Sequence, residues 1–165
     1  MRIPLILVAA LCCLTLTACR SGGGPGEPQI PVAPSELRGD YLRIQGTWVV
    51  LYNENKGIPL PERAGHVFIF EKDQSRIGKH GTDERFALDE TSVPKRIEFD
   101  DGRSPILRGI YRLDADRLTI CTISPGHARP REFKTSLFST AVLTHLQRLP
   151  HNEGPAGVAV VTRGR

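Results

Sequence analysis

Cys19 closes the stretch Leu16-Thr17-Ala18-Cys19, after a basic Arg2 and an apolar run from Ile3 to Leu14, and before an abrupt glycine-rich segment. A basic start, an apolar stretch and small residues before a cut make a secretory signal. A thiol placed directly after the cut is a nucleophile that can carry a covalent group. Ordinary signal cleavage wants small residues both one and three positions before the cut, and a cut after Ala18 puts the large Leu16 at the outer position. A transmembrane anchor needs about 20 apolar residues; this run is shorter and contains Pro4.

The other reactive side chains form no local constellation. Arg129, next to Pro130, could grip a carboxylate or phosphate in bidentate fashion, or form a salt bridge to Asp116 or Glu132. The five histidines, His66, His80, His127, His145 and His151, are scattered without metal-ligand spacing. Asp114-Ala115-Asp116 offers too few oxygens for a cation loop and reads as a turn. Cys121, in an apolar run with no neighbouring base, reads as a small buried hydrophobe. Neither a nucleophile elbow nor a phosphate-binding loop is present. The expectation is therefore no catalytic residue, no metal ligand and no cofactor. An enzyme would require a cavity in which Arg129, Glu132, His127 or His66 converge with shifted pKa values.

The net charge is +4, with no lysine or arginine run of the kind that makes a nucleic-acid stripe. Of four cysteines, Cys12 and Cys13 precede the cut and Cys19 stands at it, which leaves Cys121 alone in the body of the chain. With Cys19 modified, no internal disulfide is expected, and packing must supply the stability.

Several elements would have to position these groups. Residues 19–34 read as a glycine- then proline-rich tether. Ser35 can cap a helix running to Gln45, with Leu37, Leu42 and Ile44 as its apolar positions. From Thr47 the period changes to two, with strands expected at 47–53, 65–72, 85–89, 95–100, 107–113, 117–123, 131–138 and 140–149, separated by turn formers such as Asp73-Gln74. About eight strands with hairpin-length connections predict an all-β, up-and-down antiparallel barrel, or failing that a sandwich, covering residues 35–149. Its inward candidates are Trp48, Val50, Phe68, Phe70, Ile97, Phe99, Tyr111, Leu118, Ile120 and Leu143. Residues 150–165 read as an unpacked tail, with 158–162 as a possible edge strand.

Two resemblances carry the reading further. Leucine three before a cysteine at the cut resembles the lipobox of bacterial lipoprotein precursors. That resemblance implies removal of residues 1–18 between Ala18 and Cys19, and a diacylglyceryl group on the Cys19 thiol. Two acyl chains suffice for stable membrane attachment. It also implies a cell-envelope address on the periplasmic side; Arg20 in place of the aspartate that retains lipoproteins in the inner membrane favours the outer one.

Leu42 to Trp48 (L-x-G-x-W), Pro94-Lys95-Arg96-Ile97 (P-K-x-I), Gly109-Ile110-Tyr111 with Asp116 to Cys121 (G-I-Y…D-x-L-x-I-C), Arg129 to Phe133 (R-P-x-x-F) and the final Leu146-Gln147-Arg148 occur in that order. Together they resemble the uncharacterised lipocalin-like domain family expanded in planctomycete bacteria, over roughly residues 36–149. Glu98 stands where that family shows aspartate, and the usual lysine before Pro94 is missing. The resemblance implies a small lipocalin-like β-barrel and brings no activity with it. It also implies that Gly46 and Trp48 close one end of the barrel with Arg148 lying over the indole, a cation–π contact worth about 0.5–2 kcal/mol.

Trp48, Tyr111 and Arg129 are the candidate ligand contacts. The functional expectation is a lipid-anchored, non-catalytic binding or interaction module that takes a small apolar ligand or an envelope protein, with an envelope enzyme around Arg129, His127 and His66 as the alternative.

Overall fold

A computed structural model describes residues 27–31, 34–78 and 81–150. Cys19, the cleavage position, His80 and the segment 151–165 lie outside them.

The strands are β1 (Gly46–Asn55), β2 (Ile58–Pro59), β3 (Val67–Glu71), β4 (Gln74–Ile77), β5 (Glu84–Asp89), β6 (Arg96–Asp100), β7 (Leu107–Asp114), β8 (Arg117–Ile123) and β9 (Ala141–Arg148). All pair antiparallel. Strands β1 and β3 to β9 follow one another around a ring that closes through β1 and β9, from Trp48↔Arg148 to Asn55↔Val142, while β2 pairs only with the end of β1. The molecule is an eight-stranded up-and-down β-barrel. Closure leaves no long free edge.

Two of the eight strands differ from those expected. Gln74–Ile77 is a strand, because the β3–β4 hairpin turns on Lys72-Asp73 rather than Asp73-Gln74. Its inward residue is Ser75, opposite Phe70; a small polar residue facing a large ring hides the alternation. Residues 131–138 form no strand. The apolar Phe133 there packs on the outside of the barrel, whereas Leu137 and Phe138 face solvent.

The helix is also shorter than expected: α1 covers Gly39–Arg43 and has no side-chain cap. Arg38 is extended, with φ −147° and ψ 168°, so the chain from Ser35 cannot continue into it. Tyr41 and Ile44 are buried, while Leu42 is exposed.

The barrel interior is filled. Trp48, Val50, Phe70, Phe86, Ile97, Phe99, Tyr111, Leu118, Ile120 and Leu146 form one cluster that Tyr41 and Ile44 complete at the α1 end, with Phe68 packed against it. Leu143 is not part of it. Paired with Cys121 on the outward face, it belongs with Ile110, Cys121 and Ala141 to a second cluster that Phe133 covers. The 124–140 connection thus folds back over the outside of β7 to β9.

Candidate functional site

The end of the barrel at the start of β1 is closed by side chains. Trp48 is fully buried and donates its indole N–H to Ile44 O at 2.8 Å. The Arg148 Cζ lies 4.2 Å from the indole centroid. Its guanidinium donates to Gln45 O at 2.5 Å and to Arg43 O, which ties the last strand to the segment entering the first. Gly46 makes this possible. Its φ is +111°, and a Cβ there would sit 3.3 Å from Arg148 Nη1, so a larger residue would meet both backbone strain and crowding.

Beside this plug lies a buried carboxylate. Asp40 accepts from Lys95 Nζ at 2.6 Å, from Tyr111 Oη at 2.9 Å and from Arg43 Nη1 at 2.8 Å. Burial pushes its pKa up, but the hydrogen bonds from Lys95 and Tyr111 and the charges of Lys95 and Arg43 outweigh burial and hold it below the ordinary value. The Tyr111 hydroxyl is pushed up, first by burial and then by its bond to Asp40, so it stays protonated and donates.

A group whose folded pKa is depressed stabilises the fold fully above its unfolded value, about 3.9 for aspartate. That contribution is lost as pH falls through the lower folded value. Asp40→Asn is expected to cost about 1.5–3 kcal/mol at pH 7, the range for hydrogen bonds to charged groups. The gap from the native chain should shrink as pH drops below about 4. Urea titrations at pH 7 and pH 2.5 check it; an undiminished gap at pH 2.5 would contradict the assignment.

On the outer face of β6 and β7 the side chains form a charged cluster. Alternation places Arg96 and Glu98 outward on β6, with Arg108 opposite Glu98 on β7. Arg129 reaches over them from the 124–140 connection. It donates to Glu98 Oε1 at 2.6 Å, to Ile97 O at 2.9 Å, to Gly109 O at 2.7 Å and to Glu27 Oε1 at 2.7 Å.

Gly109 lets the strands approach closely here, since a Cβ would lie 2.7 Å from Cys121 O. Glu27 belongs to the segment read as a tether. Its carboxylate also lies 3.4 Å from Arg96 and 3.7 Å from Arg108, and its carbonyl accepts from Arg108 at 3.1 Å. Three residues on, the Ile30 N–H donates to Glu98 Oε2 at 3.1 Å. The Arg108 and Arg129 side chains are each 6% exposed and that of Glu98 4%.

The structure therefore separates the residues singled out for ligand contact. Trp48 and Tyr111 point into the barrel, and Arg129 lies on its outside. Arg129 takes neither of the partners expected for it: Asp116 is 3.6 Å from Arg148, and Glu132 pairs with Lys134. His66, His127 and Glu132 are exposed, and no hydrogen bond between side chains joins them to Arg129 among the described residues. No group of three or more His, Cys, Asp or Glu side chains among the described residues is placed to hold a metal. A cleft of about 250 Å³ lies along the β3–β4 hairpin, lined by Glu71, Lys72, Asp73 and Arg76 among others and by none of these groups.

Sequence reasoning missed Asp40, Lys95, Glu27 and Arg108. The outward alternation of charged residues on β6 and β7 was the available signal for the last of these, and the departure at Glu98 marked its partner.

Cys121 is fully buried, with Sγ donating to Lys134 O at 3.8 Å. Burial pushes its thiol up to about 11. Its alkylation by iodoacetamide at pH 8 is expected to be at least about 100-fold slower in the folded chain than in denaturant, where the thiol returns to about 8.5. Equal rates would contradict the burial.

No protein-family model, curated protein sequence or solved structure matches this chain.

Proposed function

We propose that this chain is a lipid-anchored cell-envelope protein whose barrel serves as a non-catalytic binding or interaction module. The observation that carries the module reading is the filled interior. Trp48, Phe70, Phe86, Ile97, Phe99 and Tyr111 occupy the space that a ligand-carrying barrel keeps empty. Recognition then falls to the outer surface.

Gly57 N–H donates to Thr135 Oγ1 at 2.6 Å, which brings the β1–β2 turn beside the 124–140 connection. In these segments Ile58, Leu137 and Phe138 are left exposed, Phe138 at 96%. Apolar side chains exposed near one another are the usual material of a protein contact. An envelope protein is the partner class that fits such a surface.

The anchor reading rests on Leu16-Thr17-Ala18-Cys19. No helix among the described residues is long and apolar enough to cross a membrane, and a lipid on Cys19 would supply attachment without one.

Palmitate labelling of the native chain against Cys19→Ala tests the anchor. Loss of label and release of the variant from membranes is the expected result; unchanged attachment overturns it. Native mass spectrometry of the protein purified from its host tests the module separately. A bare mass with a reproducible envelope protein in pull-downs supports it, and a stoichiometric small molecule inside the barrel overturns the surface-contact reading.

A further inference from the structure

Glu27 and Ile30 meet the barrel as a ligand meets a receptor. The glutamate carboxylate enters between three guanidinium groups, at 2.7 Å from Arg129, 3.4 Å from Arg96 and 3.7 Å from Arg108. The backbone around it is read as well: Arg108 donates to the Glu27 carbonyl at 3.1 Å, and Glu98 accepts the Ile30 N–H at 3.1 Å. A carboxylate and two backbone groups spaced three residues apart are thus held by a rigid frame of β6, β7 and the 124–140 connection.

Arg129 is fixed independently of Glu27. Arg129 is pinned by the Ile97 and Gly109 carbonyls and by Glu98. Arg108 Nε lies 3.3 Å from Glu98 Oε1 but out of hydrogen-bond alignment, a buried donor left without a partner among the described residues. Without Glu27, Arg108 and Arg129 would share the single carboxylate of Glu98, and Arg96 would lose its ion pair. Guanidiniums at such a site take up a carboxylate in preference to standing unpaired.

We propose that Arg96, Arg108, Arg129 and Glu98 form a recognition site for an extended peptide bearing a glutamate, which the chain's own Glu27–Ile30 segment occupies in cis. Glu98 supplies register by taking the N–H three residues after the glutamate, and the arginines supply charge and bidentate geometry. An intramolecular occupant held by a short connection has an effective concentration in the millimolar range. An acidic peptide from elsewhere therefore gains the site only where this segment is displaced or weakened. The site stands on its own geometry and does not depend on the lipid anchor.

The test uses the full chain, purified in detergent, as native protein and as Glu27→Gln. The probe is a fluorescein-labelled peptide Glu-Pro-Gln-Ile-Pro, followed by fluorescence anisotropy, with Gln-Pro-Gln-Ile-Pro as control. The expected result is saturable binding of the glutamate peptide to Glu27→Gln, at least tenfold tighter than to the native chain and at least tenfold tighter than the glutamine peptide. Binding should weaken with salt, and it should be lost when the half-exposed Arg96 is also replaced, in Glu27→Gln/Arg96→Gln. Far-UV circular dichroism verifies that each variant retains its β fold. Equal binding to native and variant chains, equal binding of the two peptides, or no saturable binding to a folded Glu27→Gln chain up to millimolar peptide overturns the proposal.

Discussion

Replacing Arg129 with alanine is expected to lower the unfolding free energy by about 3–5 kcal/mol, the range for breaking a buried ion pair from one side. The size follows from what is left behind. Glu98 is 4% exposed and would keep only the Ile30 N–H and Arg108, which lies out of hydrogen-bond alignment with it. The carbonyls of Ile97 and Gly109 would each lose a charge-assisted donor at 2.9 and 2.7 Å. Glu27 would lose its shortest contact.

Such a loss is a large part of the 5–15 kcal/mol typical of a whole domain. Arg129→Lys should recover only a minority of it. An ammonium cannot span two carbonyls and two carboxylates with one planar fork. Urea denaturation measures both variants; a midpoint for the alanine variant within experimental error of the native chain would refute the buried role. Glu132→Ala is the contrasting control, since its exposed pair with Lys134 is of a class worth at most about 1 kcal/mol.

The second large effect belongs to Trp48. Trp48→Ala empties a fully buried indole site at the closed end of the barrel and should cost about 3–5 kcal/mol. It also strips Ile44 O of the indole N–H and leaves Arg148 without the ring face 4.2 Å beneath it.

Trp48→Phe keeps most of the apolar volume but removes the indole donor, so a smaller loss of about 1–2 kcal/mol is expected. Arg148→Ala removes the cation–π contact, worth about 0.5–2 kcal/mol, together with its donors to Gln45 and Arg43. A double-mutant cycle over Trp48 and Arg148 isolates their coupling. A coupling energy near zero would mean that Arg148 serves only as a backbone clamp.

Much of the barrel is legible in the chain because strand alternation is a local property. Ile97 and Phe99 turn inward, and Arg96 and Glu98 outward, wherever the strand lies in the fold. Alternation misleads where side-chain size reverses the signal. Ser75 opposite Phe70 breaks the apolar alternation, so no strand is read over 74–77, and Leu143 looks like an inward residue although its side of β9 faces the outer cluster. The β1 strand shows why faces can be lost along one element. An irregularity between Val50 and Tyr52 shifts the register against β9, so Leu51 is exposed and the alternation slips by one residue.

The site was far less legible. Arg129 stands out in the sequence by its chemistry, yet its partners Glu98 and Glu27 are 31 and 102 positions away. Asp40 carries no local mark, because its value lies in Lys95 and Tyr111, 55 and 71 positions on.

The amino-acid sequence by itself determines an all-β domain and the inward or outward direction of most strand residues. Both follow from nearest-neighbour alternation and turn chemistry. Only the tertiary structure decides that the interior is filled, that Arg129 lies outside the barrel rather than beside Tyr111, and that Glu27 is gathered onto β6 and β7. Those outcomes depend on strand stagger around the ring and on the path of the 124–140 connection. Stagger and path are set by the sum of many distant contacts, for which no short stretch of residues holds the pattern.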